Sequence, residues 1–88
     1  MTGPSRIELA RQLLVAGDLP GARRASEVCL GAPVDAKEKA GAHMILAACC
    51  RRESDQKGML AHATEAVAAA PGDALAHYAL AECMGKSA

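Results

Sequence analysis

The stretch AHMILAAC at residues 42–49 returns as AHYALAEC at residues 76–83, an offset of 34 positions, with Ala, His, Leu, Ala and Cys shared at five of the eight places. No other feature of the sequence constrains the fold as much. A period of roughly 20–50 residues marks a supersecondary unit that buries its apolar face only against a neighbouring copy of itself. The 88 residues have room for two such units and one further helix, within a single domain spanning residues 1–88.

Each unit is expected to be helical. Tyr78 is the only aromatic residue, and Trp and Phe are absent; sandwiches and barrels lean on aromatic and β-branched residues. Ala, Leu, Glu, Lys, Arg and Gln, all good helix formers, dominate instead. Breaks fall at Gly17-Asp18, Gly31-Ala32-Pro33, Glu53-Ser54-Asp55 and Pro71-Gly72-Asp73. Between them lie five segments, about 5–16, 19–30, 35–52, 56–70 and 74–85, with apolar residues at helical spacing and none alternating with period two. In the first, Ile7, Leu9, Ala10, Leu13 and Leu14 gather on one broad side; in the second, Ala22, Ala25, Cys29 and Leu30 do the same. Pro20 suits a first helical turn, where its missing N–H leaves nothing unpaired. Asp55 and Asp73 suit N-caps. Connections this short make consecutive helices antiparallel neighbours.

The pattern within the units resembles the tetratricopeptide repeat. The middle unit has His43, Leu46, Ala47 and Cys50 on its first helix, then Met59, Ala63, Ala66 and Pro71. The first unit has Arg6, Leu9, Ala10 and Leu13, then Ala22, Ser26, Cys29 and Pro33; the third has His77, Leu80, Ala81 and Met84. The family's usual aromatics are missing, and about three residues are inserted near Lys37–Lys39, so the turns Gly17-Asp18 and Ser54-Asp55 lie 37 apart. The resemblance covers about residues 4–85. It implies an all-α fold: antiparallel helix–turn–helix repeats stacked as a short right-handed tetratricopeptide-like solenoid, with repeats at about 3–36 and 40–73 and a final helix at 74–85. Ala10, Ala22, Ala47, Ala66 and Ala81 would let helices approach closely, and Leu9, Leu46 and Leu80 would fill the gaps between units.

The repeated His and Cys do not read as a metal site. On one helix His43 and Cys49 point ~120° apart, so they do not converge on one ion. His43 and His77 occupy equivalent places on successive first helices, but a closed zinc site needs two more ligands. His62 is expected on the other face. Each His is therefore expected to be a packing residue and each Cys a small interhelical one, with no metal, no cofactor and no bound zinc in the purified protein. None of Cys29, Cys49, Cys50 and Cys83 belongs to a C-x-x-C pair, which suits reduced thiols in a cytoplasmic protein.

Other function classes are excluded on similar grounds. Ten basic residues balance ten acidic ones, so there is no basic face to release counterions from nucleic acid. The charges Arg6, Glu8, Arg11 and Asp18 leave no signal-peptide core, and no apolar run approaches the ~20 residues that span a bilayer. Ser26, Ser54 and Ser87 lack a nucleophile-elbow context. Gly85-Lys86-Ser87 has no glycine upstream at phosphate-loop spacing. The chain is not expected to be an enzyme.

By the resemblance, the first helices line a concave groove of Ile7, Arg11, Met44, Ile45, Ala48, Arg52, Leu75, Tyr78 and Glu82. Some tetratricopeptide domains grip a peptide's terminal carboxylate with Lys and Asn at such places; Ile7, Met44 and Tyr78 stand there here, so no such clamp is expected. The expected function is a non-catalytic interaction module that binds an apolar peptide or amphipathic helix of another protein. The alternative is a self-associating scaffold, a homo-oligomer through the final helix, or a small secretion chaperone or co-chaperone of the same fold class.

Overall fold

The computed structural model describes residues 6–32 and 35–87, with the side-chain surroundings of residue 75 and residues 82–87 outside that set. Five helices follow one another: α1 (Arg6–Val15), α2 (Leu19–Gly31), α3 (Ala36–Arg52), α4 (Gln56–Ala69) and α5 (Ala74–Ser87). No strand occurs among the described residues, and none of their helices is long and apolar enough to cross a membrane. The sequence boundaries hold to within about two residues at every described end.

Local chemistry explains where the helices stop and start. At the end of α1 the Gly17 N–H donates to the Leu14 carbonyl at 3.0 Å and the Asp18 N–H to the Leu13 carbonyl at 2.9 Å. At the end of α3 the Ser54 N–H donates to the Arg51 carbonyl at 3.2 Å and the Asp55 N–H to the Cys50 carbonyl at 2.8 Å. Both are Schellman closures. They need a left-handed residue, supplied by Gly17 at φ 88° and by Ser54 at φ 60°.

The next residue then caps the next helix. Asp18 accepts from the Gly21 N–H, and Asp55 from the Gly58 N–H, each at 3.0 Å. A Cβ at Gly21 would lie 2.3 Å from Asp18 Oδ2, and one at Gly58 2.4 Å from Asp55 Oδ2, so at these two turns the carboxylate lies directly over a bare Cα. Asp35 caps α3 in the same way through the Glu38 N–H at 2.8 Å. Pro20 sits in the first turn of α2 as expected.

The molecule measures 46 × 28 × 18 Å, and α3 is its hub. Every other helix packs against α3, whereas α2 and α4 do not touch each other. Accordingly Ala40, Ala42, Ile45, Leu46, Ala47, Cys49 and Cys50 are all buried, and at 100° per residue they wrap well over half of the helix. The adjacent thiols divide between the two sides. Cys49 packs with Ala10, Ala22 and Ile45 towards α1 and α2. Cys50 packs with Ala47, Met59 and Ala63 towards α4. A third cluster joins Ala40, Ala66 and Ala76, so α3, α4 and α5 meet there.

Most of the core is small residues, with Ile45, Leu46 and Met59 the larger side chains in it, and among the described residues the largest fully buried side chains are Cys29, Cys49 and Ser26. Ser26 satisfies its hydroxyl by donating to the Ala22 carbonyl at 2.8 Å. Ala10, Ala22, Ala47 and Ala66 are buried as expected, but Ala81 is exposed. Leu46 is buried and Leu80 packs on the Ala47 cluster, but Leu9 is 47% exposed. Both corrections have one cause. Among the described residues α1 packs only on α2 and α3, and α5 only on α3 and α4, so the outer sides of these two helices have nothing to fill.

Candidate functional site

Along α1 and α3 runs a cleft of about 500 Å³, lined by Ile7, Glu8, Arg11 and Leu14 from α1, by Lys37, Glu38, Gly41, Met44 and Ile45 from α3, and by Asp73 before α5. Gly41 sets its depth. A Cβ there would stand 3.2 Å from Ile7 Cγ1, so a side chain at this position would press on Ile7 and narrow the cleft. Four side chains of the floor are apolar: Ile7, Leu14, Met44 and Ile45. The rim carries both signs of charge, with Glu8 and Arg11 paired at 3.0 Å.

The residues expected to form one groove are dispersed. Ile7, Arg11, Met44 and Ile45 meet in the cleft. Ile45 is only 5% exposed and belongs mainly to the core beside Ala10 and Cys49. Met44 leans against the Ala40, Ala66 and Ala76 cluster. Ala48 is half-buried on α3, outside the lining of the cleft. Arg52 is an exposed tie between helices rather than a lining residue: its Nη1 donates to the Leu14 carbonyl at 3.1 Å. A cation there also complements the negative end of α1. Tyr78 is 69% exposed on α5, away from the cleft lining. Leu75 and Glu82 belong to α5, but their side chains lie outside the described residues. Leu14 and Gly41, and of the rim Glu8, Lys37, Glu38 and Asp73, were absent from the residues expected to line the groove, whereas Arg11 was among them; the glycine between Ala40 and Ala42 was the available signal.

The histidines are arranged differently from the expectation. His62 does not face away from His43: the two Nδ1 atoms are 3.2 Å apart, with ring centroids 5.4 Å apart and planes inclined by 30°. One ring N–H donates to the other ring's lone pair. Burial, and then the nearby His62, hold the His43 pKa below its ordinary value, with Lys39 acting in the same direction and Glu65 against it. His77 is exposed, with its Nε2 at the Pro71 carbonyl. The described thiols Cys29, Cys49 and Cys50 are free and buried, and burial is the main cause that pushes all three pKa values up. Raised thiols are weak nucleophiles at neutral pH. An exposed ion pair between Arg23 and Glu53 ties α2 to the end of α3.

No protein-family model matches the chain, and neither a curated protein nor a solved structure matches it.

Proposed function

We propose that this chain is a non-catalytic protein–protein interaction module of tetratricopeptide type, whose cleft along α1 and α3 receives the apolar face of an amphipathic helix from another protein. The observation that carries this reading is the cleft lining: an apolar floor of Ile7, Leu14, Met44 and Ile45 under a rim bearing Glu8, Arg11, Lys37, Glu38 and Asp73. A ligand helix suits such a lining because it carries apolar anchors at i, i+3, i+4 and i+7 and charges on the flanks. The ten residues of α1 rise about 15 Å, the length of about three ligand turns. The packing of α3 against both α1 and α5 also supports the reading, because a repeat solenoid builds its binding face from such a row of first helices. Three buried free thiols suit a reducing compartment.

The test uses amphipathic helical peptides selected from a library against the full chain. Ligands are expected to shift the amide resonances of residues 7–14 and 37–45. Ile7→Ser and Met44→Ser are expected to lose binding while keeping their helical circular dichroism. A ligand that shifts α2 or α4 instead, or that binds both variants as well as the parent, overturns the reading.

One observation favours a second reading, self-association through α5: the exposure of Tyr78. Light scattering separates the two. A dimer that becomes a monomer on Tyr78→Asp would give self-association precedence, whereas the cleft reading expects a monomer whose ligand binding survives that change.

A further inference from the structure

We propose that His43 and His62 form a bidentate site for a divalent transition-metal ion of the imidazole-preferring class, Zn(II), Ni(II) or Cu(II), that clamps α3 to α4. The argument rests on the geometry of the pair. An ion bound by two imidazole nitrogens at about 2.0–2.1 Å with a tetrahedral angle holds those nitrogens about 3.3 Å apart. The two Nδ1 atoms already stand at 3.2 Å. They come from different helices 19 residues apart in sequence, so a bound ion would bridge two elements rather than two turns of one. The site is pre-formed: α3 and α4 share the buried Ala47, Cys50, Met59 and Ala63 cluster, which fixes their relative position before any ion arrives. Both rings are half-buried, within reach of an ion and its waters.

The hydrogen bond between the rings occupies one of the two Nδ1 lone pairs an ion would need. The ring that donates carries its hydrogen on Nδ1. Moving that hydrogen to its own Nε2 frees the second lone pair, a tautomer shift that releases no proton. Among the described residues no third His, Cys, Asp or Glu joins the two rings. The ion therefore keeps water at its remaining positions, with one protein ligand fewer than the three of an open zinc site, so binding is expected to be weak and readily reversed by chelator. Imidazole donors suit Zn, Cu and Ni, and carboxylate-preferring Mg and Ca are not expected to bind.

The experiment adds Zn(II) or Ni(II) to the reduced, chelator-treated full chain. Zn(II) is expected to shift the ring-nitrogen resonances of His43 and His62 and to leave those of His77 in place. Either ion is expected to raise the melting temperature. His43→Gln and His62→Gln should each abolish the rise, and His77→Gln should retain it. Mg(II) is the control that should do nothing. Unmoved His43 and His62 ring nitrogens in millimolar Zn(II), or a thermal shift that persists in His43→Gln because the ion sits on thiols, overturns the proposal. Should a Gln variant fail to fold, the ring-nitrogen spectra of the parent chain decide alone.

Discussion

At the scale of single residues, two turns with the same hydrogen bonds carry different amounts of strain. Gly17 occupies its left-handed position freely, whereas Ser54 does so at φ 60°, where a Cβ costs roughly 1–2 kcal/mol. Ser54→Gly removes that cost and gives back part of it as extra freedom in the unfolded chain. The expected gain is about 0.5–1 kcal/mol, a rise of a few degrees in a thermal melt; Gly17→Ala should fall by a similar amount. The thiols make a second prediction. Cys29, Cys49 and Cys50 have pKa values raised by burial. A group whose pKa is higher in the folded chain stabilises it fully below the unfolded value, about 8.5 for a thiol, and progressively less as pH rises through the folded value. Urea midpoints measured under reductant should therefore fall between about pH 8 and pH 10. Cys29→Ala should flatten part of that fall. Thiol reagents at neutral pH should label these three sites only as fast as the chain opens.

At the scale of elements, the caps are worth more than the helix propensities around them. Asp18 closes over Gly21 so tightly that a Cβ would overlap its carboxylate at 2.3 Å. Gly21→Ala should destabilise the protein, although Ala is the better helix former by roughly 0.5–1 kcal/mol. Asp18→Ala alone should cost about 1 kcal/mol. In the Asp18→Ala background the obstacle is gone, so Gly21→Ala should become stabilising. A double-mutant cycle by chemical denaturation reads this sign reversal, and additive effects would mean that the cap does not form. The boundaries were legible in advance because they rest on contacts spanning three or four residues, such as Asp18 with Gly21 and Asp55 with Gly58. Asp18 and Asp35 were not recognised as caps beforehand, although each shows the same spacing to a backbone N–H three residues on.

At the scale of the whole molecule, stability rests on close approach rather than on large buried side chains. Burying a methyl contributes only about 0.8 kcal/mol, so a core composed mostly of Ala, Cys and Ser, with Ile45, Leu46 and Met59 the larger members, depends on many such contacts made at short interhelical distance. Ala47 is 5% exposed where α3 meets α4, with Leu80 packed on the same cluster. Ala47→Leu should therefore cost about 1–3 kcal/mol by overpacking, seen as a lowered urea midpoint; an unchanged midpoint would mean that the cluster yields easily.

The local code accounts for the five helices, their ends and the repeated turn, because helical spacing, an Asp cap and a glycine act within one or two turns of chain. The 34-residue echo of AHMILAAC in AHYALAEC belongs to the same level, since it marks equivalent helices without saying what surrounds them. Their surroundings were decided by tertiary packing. Residues His43 and His77 match in sequence, yet one lies against His62 and the other is exposed. Leu46 is buried while Leu9, its counterpart, is half exposed. The reason is that, of the five helices, only α3 packs against all four others: a residue type sets what a side chain can bury, and the number of helices around it sets how much it does bury.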